Sequence, residues 1–172
     1  MNMLGMMLKE TNAVTRMGAH RFRKTERDME SNLCGPDEPG TVLIVDDDVT
    51  IQMTFSALLW QEGYRIVVAN SADEARARLD EIQPDVILCD LVMTGTNGDE
   101  FCSWLKEHQT WRFVPVIAVT RIDHPVALAG MLEAGADVVV TKPVSGSDLR
   151  ARVAAALRTR RRYVDLMRHA GR

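Results

Sequence analysis

Five residues have the types and spacing to do chemistry together: Asp46, Asp47, Asp90, Thr120 and Lys142. Each lies at the end of a short apolar run. Asp46 and Asp47 follow TVLIV (41–45), and Asp90 falls late in DVILCDL (85–91). Thr120 follows VPVIAV (114–119), and Lys142 follows ADVVVT (136–141). Carboxylates gathered at one place repel one another unless a cation joins them, and Mg²⁺ suits such a site because it is hard and prefers oxygen. A carboxylate whose charge is shared with Mg²⁺ and an ammonium group can approach a phosphoryl group and become an acyl phosphate. A hydroxyl and an ammonium would then hold the equatorial phosphoryl oxygens, because phosphoryl transfer is catalysed mainly by positioning and charge.

The surrounding pattern supplies elements to position these groups. RIVVA (65–69) is a further run of strand length. Ile51, Phe55, Leu58 and Leu59 repeat at helical spacing up to Gly63. Ser71 and Glu74 form a capping box, each side chain serving the other end's free N–H, ahead of a helix whose face is Ala72, Ala75, Leu79 and Ile82. Phe101, Trp104, Leu105 and His108 form a third stripe, and Val126 to Ala134 the next helix. Ser145 caps the last one, with Asp148 in its first turn. Five strands, each followed by a helix, predict a doubly wound α/β domain: a parallel sheet covered on both faces, binding ligands at its C-terminal edge.

In family order and spacing, VLIVDDD, PDVILCDLVMTGTNGDEF, VPVIAVT and GADVVVTKP resemble the receiver domain of bacterial two-component response regulators. The likeness covers residues 41 to about 158, with 30 residues from Asp90 to Thr120 and 22 from Thr120 to Lys142. It implies a flavodoxin-like sheet of order 2-1-3-4-5. It also implies Asp90 as phospho-acceptor, and Mg²⁺ held by Asp46, Asp47, Asp90 and the backbone carbonyl of Val92. Thr120 would move towards the phosphoryl group and Lys142 would pair with it, with Pro143 as a cis proline fixing the lysine's direction. The implied donor is a histidine kinase or a histidine phosphotransfer protein, and the implied output is contact with a downstream protein.

Three departures from the family and two further positions bear on how such a domain would work. Thr94 stands where the family usually has Pro, which predicts a looser loop after Asp90. Arg121 stands where a small residue is usual; a long cation there either hinders the donor or contacts the phosphoryl group. Val139 replaces the usual Tyr or Phe, so the common aromatic rotamer switch has no side chain to turn. Val92 and Ile122, two residues past Asp90 and Thr120, are apolar and unable to orient an attacking water, which predicts slow self-dephosphorylation.

Composition sets the outer bounds. The chain has 172 residues, 46% hydrophobic and 26% charged, which is globular usage. No apolar run approaches the ~20 residues needed to span a bilayer. Cys34, Cys89 and Cys102 form an odd, widely spaced set that suits a reducing cytoplasm better than a disulfide framework or a zinc site. Charge divides the chain: seven basic against sixteen acidic side chains in residues 41–145, then eight Arg against two Asp in 146–172. The expected organisation is an N-terminal tail over 1–40, a receiver over 41–158, and a basic extension of the last helix over 159–172. That extension suits a partner or self-association helix better than specific DNA binding. The predicted function is a single-domain response regulator. Two alternatives stay open: a phosphorylation-independent binding module, and a haloacid-dehalogenase-type phosphatase built on Asp46-x-Asp48.

Overall fold

The structure is a computed structural model and describes residues 39–170. The expected N-terminal tail thus lies almost wholly outside the described residues. Five strands alternate with five helices: β1 (Thr41–Val45), α1 (Val49–Trp60), β2 (Arg65–Ala69), α2 (Ala72–Ile82), β3 (Val86–Asp90), α3 (Gly98–Glu107), β4 (Val116–Thr120), α4 (Pro125–Glu133), β5 (Val138–Thr141) and α5 (Gly146–Ala170). The strands pair in parallel in the order β2-β1-β3-β4-β5, the flavodoxin-like order.

Alternation along the strands builds two cores. Leu43, Val45, Ile87, Cys89, Val116 and Ala118 face one side and pack with Ala75, Leu79, Phe101 and Leu105 of α2 and α3. Val42, Ile44, Val86, Leu88, Ile117 and Val119 face the other and pack with Phe55, Leu59, Leu149 and Val153 of α1 and α5. Because both faces are covered, β1 and β4 are buried along their whole length, while the edge strands β2 and β5 are only partly so. Among the described residues, no helix is long and apolar enough to cross a membrane.

Some local expectations shift. The buried side of α1 is Gln52, Phe55, Ser56 and Leu59, so Ile51 and Leu58 lie at the edge of the stripe. On α3, Cys102 joins the buried stripe; Trp104 is half-buried and packs against the same core, with Arg76 over its ring at 5.1 Å. Ser71 accepts from the Glu74 N–H at 3.1 Å, but the Glu74 carboxylate takes the backbone and side-chain N–H of Asn70, both at 2.9 Å, instead of returning to Ser71. The last helix, α5, runs for 25 residues. Its Tyr163 stacks on Phe113 with ring centroids 4.2 Å apart.

Candidate functional site at the C-terminal sheet edge

The polar cluster is built where β1 and β3 end side by side. The pairing Val45↔Cys89 sets Asp46 and Asp90 level, one residue past the last pair. Lys142 arrives from the end of β5, its N–H bonded to the Thr120 carbonyl at 2.6 Å, and the Lys142–Pro143 peptide is cis. Its ammonium bridges the two carboxylates, 3.0 Å from Asp46 Oδ2 and 2.7 Å from Asp90 Oδ2. All three side chains are nearly covered: Lys142 is 7% exposed, Asp46 3% and Asp90 11%. Burial raises the pKa of Asp46 above its ordinary value, although the Asp48 N–H and Lys142 both favour its charged form.

Asp47 is bonded to a different partner. Its Oδ2 accepts from the Thr94 N–H at 2.9 Å and from the Thr94 hydroxyl at 3.2 Å. Thr94 therefore does not loosen its loop as expected; it ties the loop to the first strand's end, and does so with an N–H that proline lacks. Lys142 gathers two of the carboxylates, Thr94 holds the third, and among the described residues no group of three or more acidic, His or Cys side chains is arranged to hold a metal ion. By chemistry the set still fits Mg²⁺, since all its side-chain donors are carboxylate oxygens. Asp90 Oδ1 accepts from the Val92 N–H at 3.2 Å, which sets the carboxylate's orientation.

Thr120 is fully buried as the last residue of β4, and its hydroxyl accepts from the Ile122 N–H at 3.0 Å. Asp48 caps α1, accepting from the N–H groups of Thr50 at 2.8 Å and Ile51 at 3.4 Å. The Thr50 bond is the main reason its pKa is held below the usual value. That role takes Asp48 away from the catalysis a phosphatase reading asks of it. Val139 is half-buried and packed against the α2–α3 core.

Two residues of the site escaped the sequence pattern. Gln52 is buried, and its side-chain amide donates to the Asp46 carbonyl at 2.6 Å and to Asn70 Oδ1 at 3.1 Å, linking the ends of β1 and β2. Its position three residues before Phe55 and seven before Leu59, on the core stripe, was the available signal. Gly98 opens α3 directly against the backbone of Asp90 and Leu91: a Cβ there would collide with the Asp90 carbonyl oxygen and lie 2.7 Å from the Leu91 Cα. Its place at the start of a helix gave no such hint.

The fold and the site together define a doubly wound α/β domain whose C-terminal sheet edge presents a lysine-bridged pair of carboxylates beside a strand-end threonine. The chain belongs to the response regulator receiver domain family, whose model matches residues 42–154. It is 37% identical over 118 residues to the sensory transduction protein RegX3 of Mycobacterium tuberculosis, covering 69% of this chain and 51% of that protein. It is 35% identical over 117 residues to the phosphate regulon transcriptional regulatory protein PhoB of Escherichia coli, covering 68% and 51%. Among solved structures it is similar to the chemotaxis response regulator CheY4 of Vibrio cholerae, with a TM-score of 0.66, 27% identity, and coverage of 70% of this chain and 100% of that one. The match spans about half the length of the two sequence relatives. Receiver domains are signalling domains of two-component systems and interact with histidine kinases.

Proposed function

We propose that this receiver takes a phosphoryl group onto Asp90 from a histidine kinase or histidine phosphotransfer protein and signals, as a single-domain response regulator, by binding a downstream protein. The observation that carries the reading is the buried Lys142 ammonium, 2.7 Å from Asp90 and 3.0 Å from Asp46. In the transfer, an Asp90 carboxylate oxygen attacks phosphorus, the bond from phosphorus to the donor's leaving atom breaks, and the leaving group keeps that electron pair. Lys142 offsets the charge that builds on the phosphoryl oxygens, and the Thr120 hydroxyl donates to one of them. Asp46, Asp47, Asp90 and the Val92 carbonyl would hold Mg²⁺, which when bound neutralises charge between carboxylate and phosphoryl oxygens. The basic distal part of α5, with Leu166 and Met167 exposed, is the surface proposed for a partner or a second copy.

The test is intact-mass spectrometry after incubation with acetyl phosphate, with and without Mg²⁺, beside Asp90→Asn. A Mg²⁺-dependent phosphoryl adduct absent from the variant is the expected result. A specific observation favours one second reading, a binding module whose partner contact ignores phosphorylation. Val139 gives β5 no aromatic side chain to switch, and Asp47 is bonded to Thr94 while Lys142 bridges Asp46 and Asp90. Partner capture unchanged by Asp90→Ala would favour that module.

A further inference from the structure

Beside the acceptor site lies a cleft of about 420 Å³ lined by Ile51, Thr54, Phe55, Arg121, Lys142, Pro143 and Val144. Two of these residues are cations, and no carboxylate among the described residues lines the cleft. A site so charged suits an anion, and Phe55, Ile51, Pro143 and Val144 offer an apolar wall to whatever the anion is attached to. The two cations differ in freedom. Lys142 is buried and committed to Asp46 and Asp90. Arg121 is 72% exposed, and among the described residues it reaches Asp48, at 3.7 Å. A pair so long and so wet contributes little to stability. Asp48 also does not depend on it, because the N–H groups of Thr50 and Ile51 already satisfy its carboxylate at the start of α1. The guanidinium is therefore free to change partners at small cost, and its planar fork matches phosphate oxygens better than any other side chain does.

We propose that Arg121 is a phosphoryl-recognition residue: its guanidinium leaves Asp48 and takes the dianionic phosphoryl group of the incoming donor in the cleft it shares with Lys142. The inference rests on the reading of Asp90 as phospho-acceptor and adds to it the residue that selects for donor charge. Of the two roles open to a long cation at this position, obstruction or contact, the geometry points to contact. Arg121 lines the cleft, whereas Asp48 is not one of its lining residues.

The test uses the full chain as wild type, Arg121→Ala, Arg121→Lys and Asp48→Asn; the last keeps a capping residue but removes the charge that draws Arg121 aside. Two measurements are made in Mg²⁺-containing buffer. Inorganic phosphate is titrated against the Arg121 side-chain N–H resonance, with the Asp90-loop amides followed in the variants. Acetyl phosphate transfer is followed by intact mass over a range of donor concentrations. Loss of a charge-assisted phosphate contact in Arg121→Ala raises the half-saturating acetyl phosphate concentration about tenfold, with the limiting rate little changed. Arg121→Lys falls between the two, and Asp48→Asn lowers the half-saturating concentration. Transfer by Arg121→Ala that equals or outpaces wild type, with phosphate binding intact, overturns the proposal while leaving Asp90 as acceptor. No transfer by any protein, with phosphate binding still dependent on Arg121, overturns the acceptor reading and leaves Arg121 as the phosphate ligand.

Discussion

At the residue scale, the polar cluster at the sheet edge is a competition for oxygen atoms. Lys142 holds Asp46 and Asp90 together, and removing it leaves two buried carboxylates facing one another. Lys142→Met is expected to lower unfolding stability at neutral pH by about 3 kcal/mol, the usual loss on breaking a buried ion pair. Adding Asp46→Asn restores part of it, because one of the stranded charges is then gone. Urea unfolding of the two single variants and the double variant measures this, and strict additivity would show that the three groups do not act as a unit. Thr94 competes for the third carboxylate through two hydrogen bonds at 2.9 and 3.2 Å. Such bonds contribute about 1 kcal/mol each or less when exposed, so Thr94→Val is expected to tighten Mg²⁺ binding about threefold and Thr94→Pro about tenfold. Calorimetric Mg²⁺ titration gives the answer without any phosphoryl donor. Equal affinities in the three proteins would mean that Asp47 leaves Thr94 at no cost. The residue types of this site were legible in the sequence because polar groups at the ends of apolar strands break a strong pattern. The Thr94 clasp was not, because it depends on two loops separated by 47 positions meeting in space.

At the scale of elements, the strands place Asp90 and the helices hold it in register. Spacing alone was enough to identify α2, whose buried residues are the expected Ala72, Ala75, Leu79 and Ile82. It misjudged the rotation of α1 because Gln52 and Ser56 are polar residues on a buried face, and hydrophobic periodicity cannot count them. Gly98 fixes how closely α3 approaches β3. Gly98→Ala is expected to cost about 1–3 kcal/mol, as overpacking against backbone does, and to shift the Asp90 loop. Thermal unfolding and the amide spectrum of residues 90–98 test it; an unperturbed spectrum would mean that α3 moves away without strain. Asn70, Glu74 and Arg78 tie α2 to the end of β2. Burial works to raise the pKa of Glu74, but the Asn70 N–H, the Asn70 amide and Arg78 together outweigh it and hold the value below the ordinary one. A carboxyl with a depressed folded-state pKa stabilises fully above its unfolded pKa, and that stability is lost as pH falls through the folded value. Glu74→Gln is therefore expected to be less stable than wild type at pH 7, with the gap closing as pH falls below about 4.5, the range of an unperturbed glutamate. Urea midpoints measured between pH 3 and 7 check this, and a constant gap would show that the ionised carboxylate is not the stabilising form.

At the scale of the whole molecule, charge and core sort the chain into parts that behave differently. Residues 41–145 carry sixteen acidic and seven basic side chains, and they contain the strand ends that gather the carboxylates. Residues 146–172 carry eight Arg, and they form most of α5. The family match ends at residue 154, but α5 continues to Ala170. Its first turns are held by Leu149, Val153, Ala156 and Leu157 in the α1–α5 core. Beyond them the hold is of another kind. Arg160 is buried and donates to the Phe113 carbonyl at 3.4 Å, and burial lowers its pKa while Asp85 and Tyr163 pull it back. Tyr163 stacks on Phe113, whose other neighbour is the Arg112 guanidinium at 4.6 Å. A long basic helix was legible in the sequence as a four-three spacing. What anchors it was not, because the ring partner lies 50 residues earlier in the loop before β4. An aromatic pair adds about 1 kcal/mol beyond the area it buries, which is enough to order a helix end but not to hold a fold together. Tyr163→Ala is therefore expected to speed amide hydrogen exchange several-fold over residues 161–170. Exchange over 146–157, and any Mg²⁺-dependent phosphorylation of Asp90, are expected to stay at wild-type values. Faster exchange throughout α5 would show instead that the ring pair supports the whole helix, and no change anywhere would show that the buried Arg160 and Val164 hold the distal turns without it.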